Sequence, residues 1–409
     1  MDAQAVEDAA LRLAGVVRRS PVHRSDRLSE LVHGDVWLKR EDLQSVRSYK
    51  LRGAYNLISQ LSADERAKGV VCASAGNHAQ GLAFACAALG VQGTVVLPRT
   101  TPRQKRDRIA DLGGKHVTVQ LLGDTYDEAM AAAQQHADAT GATVVPAFDD
   151  PRTVAGQGTV VAEAFGQLHR TPDVVVVPVG GGGLLAGTVT WLRERHPAVR
   201  VVGVEPEGAA SMAAAQSAGG PVDLAVLDTF VDGAAVRRVG AVTYALAKDV
   251  ELVEVSAGRV CSQMLAYYQV EGIVTEPAGA LSAAALEVLD LEPGLTVLIV
   301  VSGGNNDVSR YAEIVERAIV FEGRKHYFLV EFAQEPGALR QFLDSVLGPD
   351  DDITLFEYVK RNNRETGPAL VGIELADAAD LPGLLDRMAA APSTIEHLSP
   401  DSPLTRFLV

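Results

Sequence analysis

A lysine follows a serine and an aromatic residue in residues 39–56, which read KREDLQSVRSYKLRGAYN. Lys50 stands directly after Tyr49 and opens a segment with the composition of a helix start. An amine beside an aromatic ring and apolar neighbours loses hydration, which lowers its pKa and makes it a nucleophile toward a carbonyl carbon. Lys50 is therefore a candidate Schiff-base lysine, although a surface lysine at the start of a basic helix would show the same pattern.

Three turns carry the other side chains that could take part in chemistry. They read SAGNHAQG at 74–81, GGGGL at 180–184 and SGGNN at 302–306. Each turn follows a short β-branched run and precedes a helical pattern. Ligands of parallel sheets bind beyond the carboxyl ends of the strands, so we expect these turns to line a site.

The second of these turns has the composition of a phosphate-binding loop. Glycines let backbone N–H groups approach a ligand closely, and the start of a helix adds a dipole that favours an anion. The run lacks the Lys-Ser/Thr ending of a P-loop and the spacing of the dinucleotide fingerprint, so a monophosphate fits best. A tight turn without a ligand is the alternative. The run consists of Gly180, Gly181, Gly182, Gly183 and Leu184.

A phosphate loop together with a candidate Schiff-base lysine suggests pyridoxal phosphate. Asn77 offers an amide for the phenolic oxygen of the cofactor ring, and Ser302 offers a hydroxyl for a ring nitrogen that is not strongly protonated. Taken singly, Asn77 is equally typical of a helix cap or an Asx turn, and Ser302 of an N-cap. Their occurrence together favours the cofactor.

The elements that must position these residues alternate between strands and helices. Such alternation predicts an α/β fold with parallel sheets and helices on both faces. We expect strands at 36–39, 70–73, 94–97, 116–121, 143–146, 174–179, 201–204 and 296–301, and helices at 4–19, 51–61, 80–89, 126–138 and 153–168.

Composition excludes several classes of function. The 409 residues carry a net charge of −15 with a pI near 5.1, which disfavours nucleic-acid and anionic-membrane partners. Three cysteines, at 72, 86 and 261, have no metal-binding spacing, and no apolar run approaches the roughly 20 residues of a membrane span. We expect a soluble, cytoplasmic protein without disulfides, structural zinc or a membrane segment.

The motifs SYKLRGAYN, SAGNHAQG, GQGT, GGGGLLAG, EPAGA and SGGNND occur in an order that resembles the fold-type II pyridoxal-phosphate enzymes, and within them the threonine dehydratases. The resemblance covers about residues 4–320. It implies a catalytic domain at 1–322 with two parallel-sheet subdomains, the smaller inserted at roughly 40–150. It also implies that Lys50 holds the cofactor as a Schiff base, with Tyr49 packed beside it. Asn77 then meets the phenolic oxygen, residues 180–184 bind the phosphate, and Ser302 meets the pyridine nitrogen.

The same resemblance implies a reaction. L-Threonine is converted to 2-oxobutanoate and ammonia, the first committed step of isoleucine biosynthesis. Lys50 removes the α-proton, and the cofactor phosphate protonates the leaving β-hydroxyl. The substrate carboxylate is held by backbone N–H groups and the Ser74 hydroxyl in the turn formed by Ser74, Ala75, Gly76, Asn77 and His78. A catabolic serine/threonine dehydratase and a non-catalytic amino-acid-binding regulator remain alternatives.

Two positions depart from relatives that racemise serine. Ala75 stands where those relatives have a serine that acts as the second acid–base group, so efficient racemisation is not expected. Ser211 stands where they place an aspartate that completes a divalent metal site near Glu205, so Glu205 is as consistent with a structural role and no metal is predicted. We interpret the histidines at 23, 78 and 116 as turn or surface residues because none has a partner at metal spacing.

The pattern changes after residue 322. Strands at 327–332, 353–360, 369–375 and 394–398 and helices at 337–347 and 381–391 predict a ferredoxin-like fold over 323–409. The segment resembles the ACT-like regulatory domain of biosynthetic threonine dehydratases in its short, single-copy form. That resemblance implies an isoleucine sensor in a homotetramer, with a dimerisation module as the alternative. Tyr358 and Glu335 are the candidate effector contacts.

Overall fold

The computed structural model describes residues 1–358, 364–399 and 402–408. The chain divides into two compact units, residues 1–307 and 308–409. The boundary expected from the sequence, after residue 322, lies beyond a helix at Tyr311–Phe321 that belongs to the second unit. Among the residues that the structure describes, no helix is long and apolar enough to cross a membrane.

The first unit alternates helices with strands along most of its length. Its helices are α1 (Ala3–Leu13), α2 (Asp26–Leu31), α3 (Lys50–Ile58), α4 (Ala63–Lys68), α5 (Asn77–Leu89), α6 (Arg103–Gly113), α7 (Tyr126–Thr140), α8 (Pro151–Phe165), α9 (Gly183–Arg195), α10 (Ser211–Ala218), α11 (Ala241–Ala247), α12 (Ala257–Glu271) and α13 (Pro277–Ala285). Its strands are β1 (Val22–Ser25), β2 (Asp35–Arg40), β3 (Val70–Ala73), β4 (Gly93–Leu97), β5 (Val117–Leu121), β6 (Thr143–Val144), β7 (Val174–Pro178), β8 (Arg200–Pro206), β9 (Glu251–Val255) and β10 (Thr296–Val301).

The larger sheet has the strand order β1-β2-β10-β7-β8-β9. All its neighbours pair in parallel except β1, which runs antiparallel to β2. Every residue of β7 and β10 is buried, as expected for strands covered by helices on both faces. Side chains of α1, α8 and α9 pack with β7 and β10 in one apolar core.

The smaller sheet is entirely parallel and has the order β5-β4-β3-β6. Alternate residues of β3 face opposite cores: Val70 and Cys72 pack with α5, whereas Val71 and Ala73 pack with α7. This is the period of two of a strand covered on both faces. The α/β class with two parallel sheets is therefore confirmed.

Helix α1 was predicted too long, and the edge strands β1 and β9 were missed. Helix α1 ends at Leu13 instead of reaching residue 19, because Gly15 adopts φ +76°, a left-handed conformation that terminates helices. Strands β1 and β9 were not predicted; both are edge strands with mixed burial, so they lack the apolar run of the central strands.

The second unit begins with a helix and continues as a four-stranded antiparallel sheet. Its elements are α14 (Tyr311–Phe321), β11 (Lys325–Ala333), α15 (Ala338–Val346), β12 (Asp352–Tyr358), β13 (Thr366–Glu374), α16 (Leu381–Ala390), β14 (Thr394–His397) and α17 (Pro403–Leu408). The strand order β12-β13-β11-β14 and the β-α-β-β-α-β succession are those of a ferredoxin-like fold, as predicted. Residues 359 and 360, predicted to extend β12, lie outside the described residues.

Candidate active site

The turn after β10 joins two of the predicted site segments. Ser48 forms a bridge with Gly303, and the Tyr49 N–H donates to the Ser302 carbonyl at 3.2 Å. The Asn305 amide donates to the Asn77 side-chain oxygen at 2.6 Å. The lysine stretch and the turn that opens α5 thus meet beside the carboxyl end of β10.

Lys50 begins helix α3 and points its amine into this region. Its Nζ donates to the Ala147 carbonyl at 3.1 Å and lies 5.3 Å from the centre of the Tyr49 ring. Burial lowers the pKa of the Lys50 amine to about 8, with Glu276 acting in the opposite direction. A larger fraction of this amine is neutral near pH 8 than for an exposed lysine, as a nucleophile requires.

Helix α3 is held in place by a buried ionic network. Arg52, two residues after Lys50, donates to Glu41 at 2.8 and 2.9 Å and to Glu163 at 3.0 and 3.3 Å. Burial opposes ionisation of Glu41, but Arg52 and Lys39 keep its pKa below the ordinary value. Arg52 and Glu41 are 1% exposed or less, so a displaced α3 would leave charges unpaired in the interior.

The turn that opens α5 offers backbone N–H groups and the Ser74 hydroxyl. The first N–H groups of a helix lack intrahelical carbonyl partners, and α5 begins at Asn77. The Ser74 Oγ accepts from the Gly76 N–H at 3.3 Å, which orders the turn. Ala75, in the same turn, packs against the apolar core of the smaller sheet. The unpartnered N–H groups at the start of α5 and the Ser74 hydroxyl together make this turn a suitable binding site for a carboxylate.

His78 was interpreted from the sequence as a turn or surface residue, but its side chain is buried. It lies in the first turn of α5 with 4% of its surface exposed, and its Nε2 bonds the Val145 carbonyl at 2.7 Å. Burial, together with the nearby Lys50, lowers the pKa of the His78 ring to about 4. A neutral ring that donates from Nε2 keeps its other nitrogen unprotonated.

Glu276 belongs to the site but was not singled out from the sequence. The Asn77 amide donates to its carboxyl oxygen at 2.6 Å, and a Cβ on Gly303 would lie 2.2 Å from that oxygen. Burial raises the pKa of Glu276 to about 7, and Asp232 adds to the effect. In the EPAGA segment, Glu276 directly precedes Pro277, the first residue of α13. This pattern is typical of an ordinary helix start, so it gave no sign of a role in the site.

The glycine loop leads from β7 into α9. Gly182 adopts φ +87°, which only glycine tolerates easily, and α9 begins at Gly183. A Cβ on Gly181 would lie 2.2 Å from the Phe148 ring, and one on Gly182 would lie 2.6 Å from the Met212 methyl group. Phe148 and Met212 therefore fill the space that side chains at Gly181 and Gly182 would need, so only glycine fits at these two positions. Within the described residues, the N–H groups of 180–184 donate to no other protein group.

Ser302 directly follows β10 and is 3% exposed. Its hydroxyl donates to the Ala278 carbonyl at 3.1 Å, at the start of α13. Because a hydroxyl rotates and carries two lone pairs, it can also bond a ring nitrogen.

Glu205 has a structural partner. Its carboxyl oxygens accept from the N–H groups of Met212 at 2.7 Å and Ala213 at 2.9 Å, which caps α10. Burial raises the pKa of Glu205 to about 7. In the part of the chain that the structure describes, no group of three or more His, Cys, Asp and Glu residues has metal-binding geometry.

Comparison with known families identifies the chain. Residues 13–303 match the family described as pyridoxal-phosphate dependent enzyme, and residues 316–408 match the C-terminal regulatory domain of threonine dehydratase. The chain belongs to the pyridoxal-phosphate dependent enzymes. Its cofactor is pyridoxal phosphate, which fits the desolvated Lys50 amine and the row of free N–H groups in the glycine loop.

Relatives of this pyridoxal-phosphate enzyme include dehydratases and a racemase. The chain is 61% identical over 408 residues to a biosynthetic L-threonine dehydratase of Mycobacterium tuberculosis, covering 99% of this chain and 95% of the relative. The structure of a processed threonine deaminase from Solanum lycopersicum matches with a TM-score of 0.71 and 36% identity over 78% of this chain and 94% of the other. Maize serine racemase matches with the same TM-score, 0.71, and 28% identity over 77% of this chain and 96% of the other. Fold similarity alone thus does not separate the two reactions.

The two residues predicted to contact an effector lie toward one end of the regulatory sheet. Tyr358 is 39% exposed at the end of edge strand β12, and its ring packs edge-on against Phe332 at 5.9 Å. Glu335 is exposed in the turn that follows β11, three residues after Phe332. Although β13 lies between β12 and β11, the Tyr358 ring contacts Phe332 of β11, the strand that leads into the Glu335 turn.

Proposed function

We propose that the chain is a threonine ammonia-lyase that converts L-threonine to 2-oxobutanoate and ammonia, the first committed step of isoleucine biosynthesis. The observation that carries this proposal is the 61% identity to a biosynthetic L-threonine dehydratase, which extends over both the catalytic and the regulatory part of the chain.

Bound pyridoxal phosphate supplies an electron sink for the negative charge that develops on the substrate α-carbon. Lys50 would hold the cofactor through its amine and, when the substrate amine takes its place, would accept the α-proton at Nζ. Its lowered pKa, about 8, keeps part of the amine population neutral and able to accept that proton. Tyr49 packs beside the amine, Asn77 and Ser302 bond polar atoms of the cofactor ring, and residues 180–184 bind its phosphate.

The turn that opens α5 binds the substrate carboxylate. The N–H groups of residues 75–78 and the Ser74 hydroxyl donate to its oxygens, and the α5 dipole adds a favourable field.

Serine racemisation is the alternative reaction that the sequence most directly argues against. A racemase needs acid–base groups on both faces of the substrate α-carbon. Ala75 provides no hydroxyl on the face opposite Lys50, so the proton can be removed but not returned efficiently from the other side.

We also propose that the second unit senses isoleucine and inhibits the enzyme. Support comes from the match of residues 316–408 to the regulatory domain of threonine dehydratase and from the exposed Tyr358 and Glu335 at one end of its sheet. A cytoplasmic homotetramer is the assembly we expect for this enzyme.

Steady-state formation of 2-oxo acid from threonine and from serine, with and without isoleucine, tests the proposed function. We expect turnover of threonine, a smaller activity on serine, no D-serine product, and inhibition by isoleucine. The variant Lys50→Ala should lose turnover by at least a thousandfold and lose the visible absorption of the cofactor bound to Lys50. Lys115→Ala, which removes an exposed lysine just after α6, is the control. Threonine deamination that persists in Lys50→Ala would refute the assignment of the lysine.

A further inference from the structure

Residues 147–149 contact three different parts of the active site in succession. The Ala147 carbonyl accepts from Lys50 Nζ at 3.1 Å. The Phe148 ring covers Gly181, where a Cβ would lie 2.2 Å from it, and Phe148 also approaches Gly183. The Asp149 carboxylate reaches in turn to the start of α11. A short segment thus connects the reactive lysine, the glycine loop and a helix that is distant in sequence.

Asp149 caps α11 from outside that helix. Its carboxyl oxygens accept from the N–H groups of Ala241 at 3.0 Å, Val242 at 2.8 Å and Thr243 at 3.3 Å. The residue before the helix is Gly240, and a Cβ there would lie 2.0 Å from the Asp149 carboxylate. The carboxylate therefore occupies the space that a local capping side chain would need, and it holds the first turn of α11 beside the glycine loop.

Thr243, in the first turn of α11, connects that helix to the glycine loop. Its side chain is fully buried, and its hydroxyl donates to the Gly181 carbonyl at 2.8 Å. The Gly240 carbonyl, at 3.2 Å, is a weaker second acceptor. A Cβ on Gly182 would lie 3.0 Å from the Thr243 Cβ, so the threonine also supports the left-handed residue of the loop. Fixing the Gly181 carbonyl orients the peptide that follows it, whose N–H belongs to Gly182.

We infer that Asp149 and Thr243 are positioning residues that fix the glycine loop in its phosphate-binding conformation and thereby set the affinity for pyridoxal phosphate. Neither side chain is placed to contact the reacting atoms; both act through α11 and the Gly181 peptide. The inference concerns cofactor binding, so it does not depend on which amino acid is the substrate.

The test compares the cofactor with its analogue that lacks the phosphate. The variant Thr243→Val keeps the shape of the side chain and removes the hydroxyl. The rate of pyridoxal phosphate release from the holoenzyme, and the saturation curve on reloading, should show affinity weakened about two- to tenfold, the range for one hydrogen bond. Thr243→Ser should restore most of the affinity. Binding of pyridoxal, followed by its absorption on Lys50, should remain within about twofold of the unmodified protein because pyridoxal makes no phosphate contact.

Asp149→Asn provides a second variant, since its site is partly exposed and an amide still caps a helix weakly. We expect it, like Thr243→Val, to weaken the affinity for pyridoxal phosphate and to leave pyridoxal binding within about twofold. Thr125→Val is the matched control, because Thr125 caps α7 away from the glycine loop. It should lower thermal stability without changing cofactor release. The inference is overturned if Thr243→Val retains full affinity for pyridoxal phosphate, if it weakens pyridoxal equally, or if Thr125→Val has the same effect on release.

Discussion

Glu276 is a buried carboxyl group of the site whose ionisation is opposed by its surroundings. It is 4% exposed and accepts a hydrogen bond from Asn77. Its carboxylate also lies so close to Gly303 that a side chain at position 303 would collide with it. Removing water from a carboxylate favours its neutral form, so burial raises the pKa of Glu276 from 4.5 to about 7. A neutral carboxyl group can donate a proton in a hydrogen bond as well as accept one.

This shift predicts a pH-dependent stability of the cofactor-free protein. Because the folded-state pKa lies above the unfolded one, Glu276 contributes stability below about pH 4.5, and that contribution is lost as the pH rises through about 7. The variant Glu276→Gln carries no such proton. Its thermal midpoint relative to the unmodified protein should therefore rise by several degrees between pH 5 and pH 8, for a free-energy difference on the order of 3 kcal/mol.

Differential scanning fluorimetry at the two pH values measures this difference directly. Asp111→Asn, which changes an exposed carboxylate on α6, is the control and should show the same relative midpoint at both. A midpoint difference between Glu276→Gln and the unmodified protein that stays constant from pH 5 to pH 8 would contradict the raised pKa.

At the scale of elements, the position of Lys50 depends on how closely α3 and α5 approach. Gly81 of α5 lies against the backbone at the start of α3, where an added Cβ would be 2.9 Å from the Leu51 nitrogen and the Lys50 carbonyl carbon. Backbone atoms cannot rotate away as a flexible side chain does. Arg52 and its two carboxylate partners hold the other side of α3, so the helix has little freedom to retreat.

Gly81→Ala should therefore displace Lys50 from the site. We expect a loss of 1–3 kcal/mol in stability, as for other overpacked interiors, and at least a tenfold fall in kcat for threonine deamination. Gly166→Ala is the matched control: Gly166 follows α8 with φ −71°, and its nearest neighbour to an added Cβ is a carbonyl oxygen at 3.5 Å. Urea unfolding and steady-state kinetics of both variants check the prediction, and equal kcat values would rule out the close contact as a determinant.

The sequence predicted the central elements better than the edges, for a physical reason. The buried strands β3 and β10 were predicted with their observed bounds, because a covered parallel strand is a continuous β-branched run. The edge strands β1 and β9 have mixed burial and gave no such signal. Glu276, Asp149 and Thr243 were not predicted as site residues, because their roles come from contacts between segments far apart in sequence and their local patterns are those of ordinary helix starts.

At the scale of the whole molecule, each unit has apolar cores of its own. In the first unit, one core lies around β7, β10, α8 and α9, and two others cover the faces of the smaller sheet. In the second unit, Phe328, Val330 and Phe332 of β11 pack with β13, α15 and α16. Two bodies with separate cores are each expected to unfold as a cooperative structure.

Isoleucine should therefore stabilise only one of two thermal transitions. A ligand that binds one folded unit raises the free energy of unfolding of that unit by RT ln(1 + [L]/Kd), so a ligand concentration of 100 times Kd contributes about 2.7 kcal/mol. Calorimetry with increasing isoleucine should move the regulatory transition upward and leave the catalytic one in place.

Tyr358→Ala should reduce this shift and the inhibition together without lowering kcat, whereas Tyr268→Ala, which alters an exposed tyrosine of the catalytic unit, should preserve both. An equal shift of both transitions, or inhibition that survives intact in Tyr358→Ala, would place the effector elsewhere.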